Sequence, residues 1–197
     1  MLTAVVLTLA LSACGGSESS STGWSTHQVD DGGFSIETPA AWRATNQVDP
    51  DKFDEFVEEN PNFAPFADVV KGGLIKFVAL DPDAADNFST NANVLVHNLG
   101  GVDISLVEYA RQSAASTRNI RAGDIQVKLV RLPAGRSARL TYEYDIRQAG
   151  KEQRLAILQF AFLREGSEYV VTFTTLPSLK ERYRTTFARA ARSFRFD

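Results

Sequence analysis

The side chains best suited to catalysis or metal binding are sparse in this chain. Its 197 residues include one cysteine and two histidines, His27 and His97. A zinc site normally takes three or four nitrogen, sulfur or oxygen ligands, so a site here would depend mostly on carboxylates. His97 alternates with Leu95 and Leu99 along a predicted strand, which points it toward an apolar side and favours a core or edge histidine over a ligand or a base. We therefore expect no metal and no other cofactor.

The sequence also lacks the motifs that mark the commonest active sites. It has no Gly-x-Ser-x-Gly nucleophile turn, no Walker loop and no His-Glu-x-x-His pair. The acidic stretch 81–87 lacks the central glycine and the closing glutamate of a calcium-binding loop, and its Asp, Pro and Asn residues are typical of a turn. The sequence therefore predicts that the protein is not an enzyme and has no catalytic residues.

The single cysteine, Cys14, lies in a segment typical of lipid modification. It follows an apolar run of Leu, Val, Ala and Thr from Met1 to Leu11. This run is shorter than the roughly 20 residues of a membrane-spanning helix and is typical of the core of a secretory signal. Leu11-Ser12-Ala13-Cys14 resembles the bacterial lipobox, in which the cysteine thiol takes a diacylglycerol and the signal is cut immediately before it. We therefore predict a lipoprotein signal peptide at 1–13 and lipidation of Cys14.

A tether and one folded domain are predicted to follow the cysteine. Residues 15–23 are mostly glycine and serine, and a flexible tract of this length has a root-mean-square span of roughly 15–18 Å. With its only cysteine acylated, the chain has no intramolecular disulfide, but 44% hydrophobic residues suffice for an ordinary core. We predict a single domain at 24–197, held by the N-terminal lipid on the extracytoplasmic side of the cell membrane.

Charge narrows the range of further partners. The formal net charge is −3 and the isoelectric point is near 5.5, whereas a nucleic-acid binder shows a basic surplus. A predicted helix over 49–60 is acidic on its outer face, which is either simply solvated or a docking patch for a basic partner. As a partner surface we rank it above the basic last helix, from Lys180 to Arg195, because its charge is denser. The acidic residues of this face are Asp51, Asp54, Glu55, Glu58 and Glu59.

Hydrophobic periodicity predicts an α+β fold. A hairpin of Trp24–Val29 and Phe34–Glu37 is followed by two strands that are apolar on both faces. Ser105–Glu108 and Ser178–Glu181 have the capping-box pattern and predict the starts of two helices. Between these helices, four segments predict an antiparallel meander, so an antiparallel β-sheet packed by helices results. The aromatic side chains predicted to lie in or near the core are Trp42, Phe160, Phe162 and Phe173.

Several of these segments together resemble one known superfamily. The stretch Gly33-Phe34-Ser35-Ile36-Glu37-Thr38-Pro39-Ala40-Ala41-Trp42, an apolar strand leading through a proline to a tryptophan, resembles the opening of the Mog/PsbP-like superfamily. The strand entry Asn91-Ala92-Asn93-Val94, the capped helix at Ser105 and the terminal Ser193-Phe194-Arg195-Phe196 strengthen the resemblance, which covers 24–197. The lipobox makes the chain most similar to the LpqN/LpqT-type envelope lipoproteins. The resemblance implies an α/β/α sandwich.

The same resemblance implies non-enzymatic, accessory work. One branch of the superfamily contains extrinsic subunits that steady a photosynthetic complex, another a protein that binds a small GTPase, and the envelope branch accessory proteins that bind partners. No motif carries a functional residue of any branch onto this chain. We therefore expect a membrane-anchored accessory module that binds an unidentified envelope protein.

The alternative is a carrier for a lipid or another apolar small ligand. A carrier needs a cavity of at least roughly 300 Å³ lined by apolar side chains. A binding module needs instead a filled core and an exposed patch. The sequence does not separate the two hypotheses.

Overall fold

A computed structural model of the chain describes residues 23–45, 72–83, 85–86, 88–118, 124–148 and 151–197. Over these residues the chain forms ten β-strands and two α-helices. The strands are β1 (Trp24–Val29), β2 (Phe34–Pro39), β3 (Arg43–Thr45), β4 (Ile75–Leu80), β5 (Asn91–Asn98), β6 (Gln126–Leu132), β7 (Gly135–Gln148), β8 (Lys151–Arg164), β9 (Ser167–Thr175) and β10 (Arg195–Phe196). The helices are α1 (Leu106–Arg118) and α2 (Lys180–Ser193).

Three predicted features lie outside the described residues. They are the signal peptide with Cys14, most of the tether, and the acidic helix predicted over 49–60. Neither of the two helices that the structure does describe is long and apolar enough to cross a membrane.

Seven strands form the larger sheet, in the order β3-β4-β5-β9-β8-β7-β6, and every neighbouring pair is antiparallel. The four strands from β6 to β9 follow one another as hairpins, as their alternating and apolar patterns predict. β7 and β8 have 14 residues each and pair along most of their length. Because side chains alternate along a strand, each of these long strands presents one row of residues to each face of the sheet.

The smaller sheet brings the two ends of the described chain together. β2 lies between β1 and β10, and both pairings are antiparallel. A 3₁₀ turn, Asp30–Gly32, connects β1 to β2, and Gly33 follows it with a φ of 65°. Glycine adopts this left-handed conformation at little cost because it has no Cβ. The predicted hairpin is therefore confirmed, and the C-terminal β10 completes the sheet.

The main core lies between the larger sheet, the smaller sheet and α2. Each layer contributes buried aromatic rings, among them Phe34 from β2 and Phe187 from α2. The rings of Phe173 and Phe187 stack with their centroids 4.9 Å apart, and such pairs add about 0.5–1.5 kcal/mol to the stabilisation from buried area. All the aromatic residues predicted for the core are buried in this cluster: Trp42, Phe160, Phe162 and Phe173.

α1 packs on the opposite face of the larger sheet. Its Ala110 is buried in one cluster with Ala138 of β7 and Ala161 of β8. The helix starts as predicted, because Oγ of Ser105 accepts a hydrogen bond from the backbone N–H of Glu108 at 3.2 Å. With α1 on one face and α2 with the smaller sheet on the other, the α+β sandwich is confirmed.

The start of α2 differs from the prediction. A 3₁₀ turn, Pro177–Leu179, precedes the helix, which begins at Lys180 without a side-chain cap. The backbone N–H of Leu179 donates to the carbonyl of Leu176 at 2.9 Å. Ser178 therefore lies inside the turn and not in front of the helix, so the capping box predicted there is wrong. Proline with its fixed φ favours the turn over an extended capping residue.

Candidate functional site

An open groove of about 540 Å³ runs along one side of α1, above the neighbouring strands of the larger sheet. We call it the α1 groove. Its floor consists of side chains from β5, β9, β8 and β7, and one wall consists of α1. Its lining includes Tyr142, Gln159 and Thr172 on the floor, and Tyr109 and Ser113 on the wall. Four adjacent strands of the sheet thus position the polar side chains of the floor.

The floor of the α1 groove includes a row of neutral hydrogen-bonding groups beside apolar side chains. The hydroxyl of Tyr142 donates to Oε1 of Gln159 at 3.3 Å, and Nε2 of Gln159 donates to Oγ1 of Thr172 at 3.1 Å. Burial raises the pKa of Tyr142 to about 12, with a smaller contribution from the neighbouring Tyr144, so its hydroxyl stays protonated at neutral pH. The row therefore offers uncharged donors and acceptors to whatever lies above it.

One end of the α1 groove holds a carboxylate. The hydroxyl of Tyr109 donates to Oε1 of Glu168 at 2.5 Å, which links α1 to β9. Burial, and then this hydrogen bond, raise the pKa of Tyr109 well above its usual range. Nδ1 of His97 lies 3.8 Å from Oε2 of the same carboxylate. Because the tyrosine already engages Glu168, this carboxylate is positioned as a structural acceptor.

The prediction that His97 points toward an apolar side is wrong. Its side chain is 50% exposed, near the end of β5. Alternation along the strand is correct, but β5 continues past the covered part of the sheet, so the last residues of the strand face solvent. His97 does lie at the margin of the sheet, and this part of the prediction is correct.

The described part of the chain contains no constellation typical of a metal site or a catalytic triad. No three His, Cys, Asp or Glu side chains in the described ranges come close enough together to hold an ion. The other histidine, His27, forms a hydrogen bond between Nε2 and Oγ1 of Thr38 at 2.8 Å and lies against the ring of Phe77. Its pKa is lowered by burial. His27 is therefore a partly buried structural residue of the smaller sheet.

A second groove, of about 550 Å³, runs beside α2 on the other face of the sheet. We call it the α2 groove. Nζ of Lys180 and Oε1 of Glu143, 3.3 Å apart, connect the helix to β7 across it. Asp145 and Arg154 form a further ion pair at 2.8 Å between the two strands of its floor. Ion pairs therefore connect α2 to β7, and β7 to β8, along this groove.

The basic surface of α2 is largely neutralised. Acidic partners lie within 4 Å of four of its bases, and Arg189 also stacks on the ring of Trp24 at 4.2 Å. A paired surface of this kind has little charge left to attract anionic headgroups. The structure thus favours a solvated, paired face for this helix. The pairs are Lys180 with Glu143, Arg182 with Asp83, Arg184 with Glu181, and Arg189 with Glu37.

A buried hydrogen bond fixes the acidic stretch that follows β4. The hydroxyl of Tyr183 in α2 donates to Oδ2 of Asp81 at 2.7 Å, and Oδ1 of Asp81 accepts the backbone N–H of Asp83 at 3.0 Å. Burial, and then the bond to Asp81, raise the pKa of Tyr183. The described residues of this stretch form a turn, as the sequence predicts, and the hydrogen bond from Tyr183 holds this turn against α2.

The sequence-predicted site residues and the grooves are different parts of the chain. Cys14 and the five acidic residues from Asp51 to Glu59 lie outside the described residues, so the predictions about them stay predictions. The polar floor of the α1 groove was not predicted. Its one signal in the sequence was Gln159, the only polar residue within the apolar run 155–163.

Comparison with known proteins shows a shared fold at low sequence identity. Cyanobacterial PsbP (CyanoP) from Synechocystis matches with a TM-score of 0.54 and 14% identity, over 95% of this chain and 99% of that chain. LpqN of Mycobacterium tuberculosis, involved in cell envelope biogenesis, matches with a TM-score of 0.52 and 11% identity, over 88% of this chain and 90% of that chain. A Pseudomonas aeruginosa protein of unknown function matches with a TM-score of 0.50 and 12% identity, over 86% and 94% of the two chains.

These similarities confirm a PsbP-like fold, as the sequence resemblance implied. At 11–14% identity they concern the fold alone. No protein-family model matches the chain, and no curated protein matches it.

Proposed function

We propose that the protein is a lipid-anchored, extracytoplasmic accessory module that binds a protein partner in the cell envelope. The observation that carries the proposal is the contrast between a closed core and open grooves of mixed polarity. The buried aromatic side chains of both sheets and α2 pack against one another, whereas both grooves are open at the surface and combine apolar with polar side chains. Surfaces of this kind suit contact with another macromolecule.

Two further observations support this proposal. LpqN, which has the same fold, is involved in cell envelope biogenesis. The lipobox-like stretch before Cys14 and the Gly/Ser tract after it would place the domain within roughly 15–18 Å of a membrane. The accessory role and the anchor together describe a protein that works beside envelope components and does no chemistry on them.

A carrier of a small ligand is the second candidate, and the size of the α1 groove favours it. The groove exceeds the roughly 300 Å³ that a small-molecule site needs. Its floor, however, combines apolar side chains with a hydrogen-bonded row of Tyr142, Gln159 and Thr172, which suits a partly polar ligand better than a wholly apolar one. A carrier function would therefore require a ligand with a polar, uncharged part.

The lipid anchor is tested by replacing Cys14 with serine in the native host. The wild-type protein should incorporate labelled palmitate and sediment with membranes, whereas Cys14→Ser should take no label and leave the membrane fraction. Ser20→Ala, a change within the tether, is the matched control and should behave as the wild type. This part of the proposal is wrong if the wild type takes no label and Cys14→Ser stays with membranes as firmly as the wild type does.

A further inference from the structure

The larger sheet has an open edge at β6. In the described part of the chain β6 pairs with β7 alone, and five of its seven residues are exposed. The outer edge of such a strand presents unpaired backbone N–H and C=O groups, to which an extended segment of another chain can add as a further strand.

This edge carries an unusual arrangement of charge. Lys128 of β6 lies directly opposite Arg139 of β7, and Arg131 lies directly opposite Arg136. Like charges in directly opposite positions destabilise a pair of strands. None of these four bases forms an ion pair with any residue that the structure describes.

The bases of α2, in contrast, are mostly paired. Four bases of α2 have acidic partners at 3.1–3.6 Å, two of them on other strands. On the β6–β7 hairpin, no acidic side chain of the described ranges pairs with Lys128, Arg131, Arg136 or Arg139. Two exposed apolar side chains flank Lys128 on the same strand: Val127 and Leu129, 36% and 43% exposed.

We propose that β6 is the docking edge for an acidic, extended segment of a partner protein, which adds to the larger sheet as an eighth strand. The inference rests on the proposed function and names the chemistry of its partner. Edge-strand charges commonly prevent unwanted pairing. They repel a second copy of this chain, whose β6 is equally basic, but they attract an acidic strand.

The spacing of the bases defines the segment further. Lys128 and Arg131 are three residues apart, so they project from opposite faces of β6. The residues opposite them on an added strand are also three apart. The segment should therefore have acidic residues at positions i and i+3, with apolar residues near Val127 and Leu129.

The test uses the full chain and a synthetic seven-residue peptide, Thr-Val-Glu-Val-Thr-Glu-Val, matched in length to β6. We expect this peptide to bind and to protect the backbone amides of 126–132 from hydrogen exchange. The same peptide with lysine in place of glutamate should not bind. A peptide with the two glutamates but with N-methylated backbone amides should lose binding, because it keeps the charge and cannot form the strand pairing.

A double variant, Lys128→Glu with Arg131→Glu, tests the edge from the protein side. It places acids opposite Arg139 and Arg136, so the hairpin should remain folded. Binding of the acidic peptide should weaken at least about tenfold. The matched control, Arg43→Glu with Arg192→Glu, changes the net charge equally at exposed sites away from β6 and should bind as the wild type does.

Several outcomes would overturn the inference. They are the absence of peptide binding, equal binding by the N-methylated peptide, or equal weakening in the control variant. If phosphatidylglycerol vesicles, but not the peptide, protect the β6 amides from exchange, the basic residues bind a membrane instead. If the amides are protected only when the protein self-associates, the edge pairs with a second copy of this chain. If any of these occurs while Cys14 is acylated and a protein partner is still found, the inference fails and the proposed function stands.

Discussion

At the scale of single residues, the polar groups that this fold buries are satisfied within the protein. No buried side-chain nitrogen or oxygen in the described ranges lacks a hydrogen-bond partner. Asp81 is held by Tyr183, and the hydroxyls of Thr90 and Thr175 share a hydrogen bond at 2.8 Å. A buried polar group left without a partner costs about 1–3 kcal/mol, so such groups persist mainly where function requires them. The described core therefore carries no such cost.

His27 makes stability depend on pH in a predictable direction. Burial lowers its pKa below the usual value near 6.5, so the folded state resists protonation. Between these two values the unfolded chain binds more protons than the folded chain, and stability therefore falls as the pH falls below about 6.5. Above that pH the contribution is fully present.

The variant His27→Gln removes this titration and keeps a group able to reach Thr38. We expect its free energy of unfolding, measured by urea denaturation, to fall less than that of the wild type between pH 7.5 and pH 5. Equal losses in the two proteins would contradict the assignment, since carboxylates common to both would then account for the whole pH dependence.

At the scale of elements, the sequence predicts what is local and periodic, and it fails where tertiary packing decides. Alternation identified the meander of β6 to β9, and the aromatic residues of β8 and β9 were correctly placed in the core. The polar floor of the α1 groove could not be predicted, because Tyr142, Gln159 and Thr172 meet only through the register of three strands. The like-charge pairs of β6 and β7 likewise depend on register.

The two serines predicted to cap helices provide a direct comparison. Ser105 caps α1, whereas Ser178 lies within a 3₁₀ turn and caps nothing. Ser105→Ala should therefore lower the free energy of unfolding by about 1 kcal/mol. Ser178→Ala, the matched control, should change it by less than about 0.5 kcal/mol. Equal effects in chemical denaturation would mean that local propensity, and not the cap, determines the cost.

Phe160 tests the position of β8 in the sheet. Its side chain is 6% exposed and meets the ring of Phe173 edge to face, with 6.4 Å between centroids. Phe160→Ala should cost about 3–5 kcal/mol, because it removes buried contacts and leaves a cavity. Val127→Ala on the exposed β6 is the control and should cost less than about 1 kcal/mol. A small shift in the melting temperature of Phe160→Ala would contradict a central position for β8.

At the scale of the whole molecule, the chain combines a closed domain with surfaces that remain open. The main core joins both sheets and α2, and the second face of the larger sheet is only partly covered by α1. Four bases of α2 have acidic partners, whereas Lys128, Arg131, Arg136 and Arg139 of the β6–β7 hairpin have none among the described residues. In the function that we propose, a partner held near the same membrane would meet these grooves and the β6 edge.

Native mass spectrometry of the full chain, purified from its own host in mild detergent, tests the central claim most directly. We predict the mass of the acylated chain together with one stoichiometric protein and no bound small molecule. The variant Ser113→Trp fills the α1 groove from its wall, so a partner bound at the β6 edge should remain with it. A small molecule bound one to one in the wild type and lost in Ser113→Trp, with no protein partner, would contradict the account and identify a carrier.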